Sequence, residues 1–166
     1  MEKIKYEYFR CIMEDNSQEE YDLQREHSSV IFDQFRAYLK AKGVKEKKAE
    51  ELENRAFFFI MDYLFTYSDT TNIIAVNKNI IRVYMGNWYI RKFMNPTMKE
   101  INASLRAVSS FYTFLHEEGF VSKDTLEEIN SVCKDKKWFE MRLKTYHKAG
   151  RENFYDWIQE YNYDEY

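Results

Sequence analysis

Residues 95–120 read NPTMKEINASLRAVSSFYTFLHEEGF. Pro96 cannot donate a backbone hydrogen bond and disfavours helix in the residue before it, so a preceding helix ends there. Thr97 and Glu100 have the spacing of a capping box, in which the hydroxyl and the carboxylate each satisfy an orphan backbone amide. From Met98 the apolar residues recur three and four apart, at Ile101, Leu105, Val108, Tyr112 and Leu115. That period is the buried face of a single helix. Gly119 followed by Phe120 suits a left-handed C-terminal cap with its apolar contact. One polar edge is left over, formed by Lys99, Asn102, Arg106, Ser109 and Thr113.

Working outward, the same periodicity predicts helices over about 3–14, 18–42, 45–67 and 77–93. Further helices are expected over 124–134 and 136–149, with a short final helix presenting Phe154, Trp157, Ile158 and Tyr161. Gly43 after a basic turn marks the end of the second, and the polar cluster TYSDTTN marks the end of the third. One proline and four glycines in 166 residues leave little punctuation, so long helices are favoured. Fourteen Tyr and thirteen Phe supply large side chains for a core, and no staple is needed. The expected fold is therefore all-α. Cys11 and Cys133 stand far apart in semi-apolar helical contexts and are expected to be buried, reduced thiols. The beginning MEKIKYEYF lacks the apolar core of a signal peptide, and RAFFFIMDYLF is too short to span a membrane. A cytoplasmic location without membrane attachment is expected.

The formal net charge is −3, but the distribution is uneven. Residues 71–115 carry Lys78, Arg82, Arg91, Lys92, Lys99 and Arg106 against the single acid Glu100, a local charge of +5. Acids exceed bases over 1–30 and over 116–166, and the two balance over 31–70. A local basic field of this kind can steer an anionic partner even on an acidic chain. His27, His116 and His147 are scattered, and neither cysteine has a partner at metal-ligand spacing. No phosphate-binding glycine loop, nucleophile elbow or HExxH motif occurs. No enzymatic role, cofactor or metal is expected.

Three stretches together carry a resemblance: FRAYLKAKGVKEKKAEELENRAFFFIMDYL, NIIRVYMGNWYIRKFM and PTMKEINASLRAVSSFYTFLHEEGFV. In this order they resemble the N-terminal core-binding, or SAM-like, domain of tyrosine recombinases and phage integrases. Thr97, Leu105, Arg106, Phe111, Tyr112, Phe114, Leu115 and Gly119 match that family's last helix. Four residues, rather than the family's one, separate the Leu-Arg pair from Phe-Tyr. The resemblance spans about residues 30–121 and implies a SAM-like orthogonal helical bundle, with helical extensions over 1–29 and 122–166. It also implies that double-stranded DNA is clamped largely through its backbone. By position, Thr97, Lys99, Asn102 and Arg106 are the implied contacts, and Lys45, Lys47, Lys48 and Arg55 are secondary ones.

Lys and Arg neutralise phosphates, while hydroxyl and amide groups fix register, so these residue types fit that task. Recombinase chemistry needs a second domain with paired arginines and an activated tyrosine. The 45 residues after position 121 are too few for it, and His147 with Arg151 in HKAGR has the wrong spacing. Strand cleavage is therefore not expected. The alternative reading is a helical protein-interaction module without DNA binding. There the aromatic C-terminal helix, with Phe154, Tyr155, Trp157, Ile158, Tyr161, Tyr163 and Tyr166, would dock on a partner or a second copy.

Overall fold

Serine 17 begins the first long helix by a reciprocal cap. Its Oγ accepts from the Glu20 amide at 3.2 Å, and Glu20 Oε2 accepts from the Ser17 amide at 3.3 Å. A computed structural model describes residues 1–15 and 17–160, and all regular structure among the described residues is helical. The chain divides into two compact units, Met1–Ala75 and Val76–Tyr166. The boundary falls inside the 30–121 span over which the family resemblance runs.

In Met1–Ala75, helix α1 (Gln18–Ala41) ends as its sequence predicts: Gly43 takes φ 82°, and the Val44 amide reaches back to the Leu39 carbonyl at 3.0 Å. Helix α2 (Glu46–Phe58) packs on α1 and runs directly into a π-helical turn, Phe59–Leu64. Phe59, Ile60, Met61, Tyr63 and Leu64 are all buried there. Burial of so many successive residues requires neighbours on more than one side of the helix.

The helix expected over 3–14 is absent. Only one 3-10 turn forms, at Tyr6–Phe9. Beyond it Arg10 pairs as an isolated antiparallel bridge with Asn72, the Cys11 amide donates to the Thr71 carbonyl at 2.8 Å, and the Ile12 amide donates to Gln24 Oε1 at 2.8 Å. Burial of Ile4, Tyr8 and Phe9 and these distant partners outweigh a weak local helical period.

In Val76–Tyr166, Asn77 caps helix α3 (Lys78–Val83) by accepting from the Asn79 amide at 2.9 Å and the Ile80 amide at 3.2 Å. A second π-helical turn, Tyr84–Trp88, joins α3 to helix α4 (Tyr89–Lys92). The single helix expected over 77–93 therefore exists with a widened middle. Every residue from Val83 to Ile90 is buried. Helix α5 (Met98–Glu117) follows, then α6 (Lys123–Lys134), α7 (Lys136–Ala149) and α8 (Phe154–Gln159). Helix α5 packs against α6, α7 and the π turn, so it buries Ala103, Ser104, Ala107, Phe111 and Phe114 besides Ile101, Leu105, Val108, Tyr112 and Leu115 of the predicted stripe, whereas Met98 is only half-buried. Phe93, the last residue of the helix expected over 77–93, is 40% exposed because the chain has already left the helix.

Arg142 of α7 is fully buried in this unit. Its Nε donates to the Gly86 carbonyl at 3.0 Å, Nη2 donates to the Trp157 carbonyl at 3.0 Å, and Nη1 meets Glu160 Oε2 at 3.1 Å. The guanidinium carbon also lies 3.8 Å from the centre of the Trp157 ring, a close cation–π contact. Asn87 Nδ2 donates to the Ile158 carbonyl at 2.8 Å, a second tie between the π turn and α8. Gly86 is required by space. A Cβ there would sit 2.4 Å from Trp138 Cζ3 and 2.6 Å from Cη2. Gly86→Ala should lower stability by about 2 kcal/mol through overpacking, measured as a fall in the urea midpoint, and Trp138→Leu in the same chain should recover part of the loss.

Candidate nucleic-acid interface

The polar edge of α5 divides into a structural half and an exposed half. Toward its C-terminal end, Ser109 Oγ bonds Asn130 Oδ1 of α6 at 2.6 Å, and Thr113 Oγ1 donates to the Ser109 carbonyl at 2.8 Å. Both are half-buried, so packing accounts for them. At the other end Thr97 Oγ1 accepts from the Glu100 amide at 3.3 Å, the hydroxyl half of the expected capping box, and its side chain is committed to holding the helix start. Lys99 and Arg106 are exposed, and neither has an ion pair or hydrogen bond among the described residues. Two helical turns separate them, roughly 10 Å along the axis. Asn102 lies between them on the same side, half-buried, and its Oδ1 is buried with no hydrogen-bond partner among the described residues.

Tertiary structure redistributes the +5 charge of residues 71–115. Lys78 meets Glu128 of α6 at 3.8 Å, and Arg82 meets Asp135 at 4.0 Å while lying 5.3 Å from the Trp138 ring centre. Arg91 Nε donates to Asn87 Oδ1 at 2.6 Å. Acids distant in sequence have thus come to Lys78 and Arg82. Lys92, exposed with its ammonium 5.9 Å from the Trp88 ring centre, joins Lys99 and Arg106 as cations of this stretch that make no ion pair among the described residues.

The secondary candidates lie in Met1–Ala75 and fare differently. Lys48 pairs with Glu51 at 2.8 Å, and Arg55 pairs with the same carboxylate at 3.3 Å. The two cations hold the Glu51 carboxyl below its usual range, the Lys48 hydrogen bond chiefly. Lys45 and Lys47 are exposed and make no ion pair among the described residues. Lys45 occupies the N-cap position of α2, where the helix dipole disfavours a cation. Of this basic run, two members are already neutralised locally.

The C-terminal aromatic helix is mostly packed onto its own unit. Trp157 is buried and donates its Nε1 hydrogen to Thr145 Oγ1 at 3.0 Å, and Phe154 lies 6.2 Å from the Tyr146 ring. Ile158 is half-buried, whereas Tyr155 is 72% exposed. Tyr161, Tyr163 and Tyr166 lie outside the described residues. The buried Arg142 was not legible as a core residue, since an arginine within MRLKTYH looks like a solvated position. The exposed pair Phe93–Met94 was likewise missed, because Phe93 continues an apolar helical stripe.

Cys11 and Cys133 are both half-buried free thiols. Burial pushes the Cys133 thiol up to about 12, against a smaller opposing effect of a hydrogen bond with the Ser109 backbone. Burial also raises the Tyr112 phenol well above its ordinary range. A raised folded-state pKa contributes stability that is present below the unfolded value and is lost as pH climbs toward the folded one. The urea midpoint should therefore fall between pH 9 and pH 11, and Cys133→Ala should make that fall shallower; an unchanged pH profile would contradict the assignment.

Among the described residues no helix is long and apolar enough to cross a membrane, and no group of three His, Cys, Asp or Glu side chains is placed to hold a metal ion. No family model, curated protein or solved structure matches this chain.

Proposed function

We propose that this chain is a non-catalytic, cytoplasmic DNA-binding protein that contacts duplex DNA mainly through phosphates and serves as an accessory in DNA integration or recombination. The finer fold, a SAM-like orthogonal bundle like the core-binding domain of a tyrosine recombinase, belongs to the same proposal. The observation that carries it is the exposed pair Lys99 and Arg106 on one side of α5, which make no ion pair among the described residues and lie in a stretch whose single acid is Glu100. Asn102 between them offers an amide suited to a phosphate or a base edge. Lys92 extends the same basic set. Lys48 and Arg55 are expected to contribute less, because binding DNA would first have to displace Glu51.

A helical protein-interaction module is the competing reading, and the exposed Tyr155 beside Phe154 is the feature that favours it. Fluorescence anisotropy with a labelled duplex separates the two. With about three phosphates neutralised, the logarithmic salt slope should be roughly −2.7, a loss of roughly 40-fold in affinity for a fourfold rise in salt. Lys99→Glu combined with Arg106→Glu should weaken binding at least about tenfold and make the slope shallower by about 2. Absence of any salt-sensitive binding at low ionic strength would leave the interaction module as the better account.

A further inference from the structure

Between α4 and α5 the chain turns through Phe93, Met94, Asn95 and Pro96. Both ends of this loop are held. The Phe93 amide donates to the Tyr89 carbonyl at 3.2 Å and its ring lies 4.6 Å from the Tyr89 ring, while Pro96 is buried and Thr97 caps α5. Between these anchors Met94 stands free of all packing at 104% relative exposure, with Phe93 beside it at 40%. Met94 is the most exposed large apolar side chain among the described residues. An apolar tip on a loop held at both ends differs from a frayed end, since the backbone that carries it is fixed.

The charge that flanks this tip along the chain is of one sign. Lys92 precedes it, Lys99 and Arg106 follow on α5, and Glu100 is the single acid from Val76 through His116. We propose that Phe93 and Met94 form an apolar wedge that enters the groove of a nucleic-acid duplex and leans between base steps, while Lys92, Lys99 and Arg106 hold the flanking phosphates. Flexible methionine is suited to such a gap, and apolar wedges of this type partly unstack a base step and bend the duplex. This inference rests on the DNA-binding reading and names the contact that reading lacks. The cations also favour a linear polyanion over a lipid surface. Lys99 and Arg106 run roughly 10 Å along the axis of α5, leading away from the tip, whereas a membrane patch would place them around it.

The test uses the full chain with a duplex carrying 2-aminopurine, whose fluorescence rises on unstacking. Met94 touches nothing it could destabilise, so Met94→Ala should fold normally, checked by circular dichroism. Met94→Ala should weaken duplex binding about tenfold, abolish the 2-aminopurine increase and leave the salt slope unchanged, while Met94→Leu keeps all three properties. Affinity and fluorescence that are unchanged in Met94→Ala would overturn the wedge, and the DNA reading would stand if Lys99→Glu with Arg106→Glu still weakened binding. No duplex binding by the unaltered chain at low salt would overturn both. Binding to phosphatidylserine vesicles that Met94→Ala removes, with duplex binding unaffected, would assign the tip to a membrane and also overturn the wedge.

Discussion

A buried guanidinium organises the unit Val76–Tyr166. Arg142 has no exposed surface, yet it remains charged at any ordinary pH, so its desolvation must be offset inside the protein. Two backbone carbonyls, one carboxylate and an indole face do this. Each partner fixes a different piece of chain. Gly86 belongs to the π turn, Trp157 to α8, and Glu160 lies just beyond α8. The Glu160 side chain is itself 57% exposed, so the ion pair is only partly removed from water and the carbonyl bonds carry much of the compensation. Loss of this group would strand the Gly86 and Trp157 carbonyls together, which is why one residue of α7 governs the placement of two other elements.

The π turn at Tyr84–Trp88 is the counterpart of that interaction. Within it the Gly86 carbonyl accepts from Arg142, while Asn87 reaches the Ile158 carbonyl with one end of its amide and accepts from Arg91 with the other. Gly86 permits the approach of Trp138, whose ring also lies under Arg82. Steric, hydrogen-bonding and cation–π constraints therefore converge on one wide turn. Such turns commonly store local irregularity where helices must meet closely.

Helix α5 shows how binding surface and core are divided by their neighbours. Its buried face and its caps follow from periodicity, Thr97 and Gly119 behaving as the local chemistry requires. Its polar edge has five members at helical spacing and looks uniform in sequence. Contact with α6 removes Ser109 and leaves Thr113 bonded to its own helix, while Lys99 and Arg106 remain in water. A basic run in sequence is thus an upper bound on basic surface. Glu128 and Asp135, 50 and 53 residues beyond Lys78 and Arg82, meet those bases after folding.

Sequence alone determined the all-α class, most helix ends and the principal buried stripes, because caps, glycine turns and a 3.6-residue period are local and act within one element. It also placed Lys99, Asn102 and Arg106 on one side of α5, since that follows from helical geometry. Only tertiary structure decided that residues 3–14 would surrender a helix for distant backbone partners, that two helices would widen into π turns, and that Arg142 would enter the core. The same applies to which cations stay unmatched and to the emergence of Met94 at a loop tip. Each of these outcomes depends on groups far apart in the chain, whose encounter no local pattern encodes.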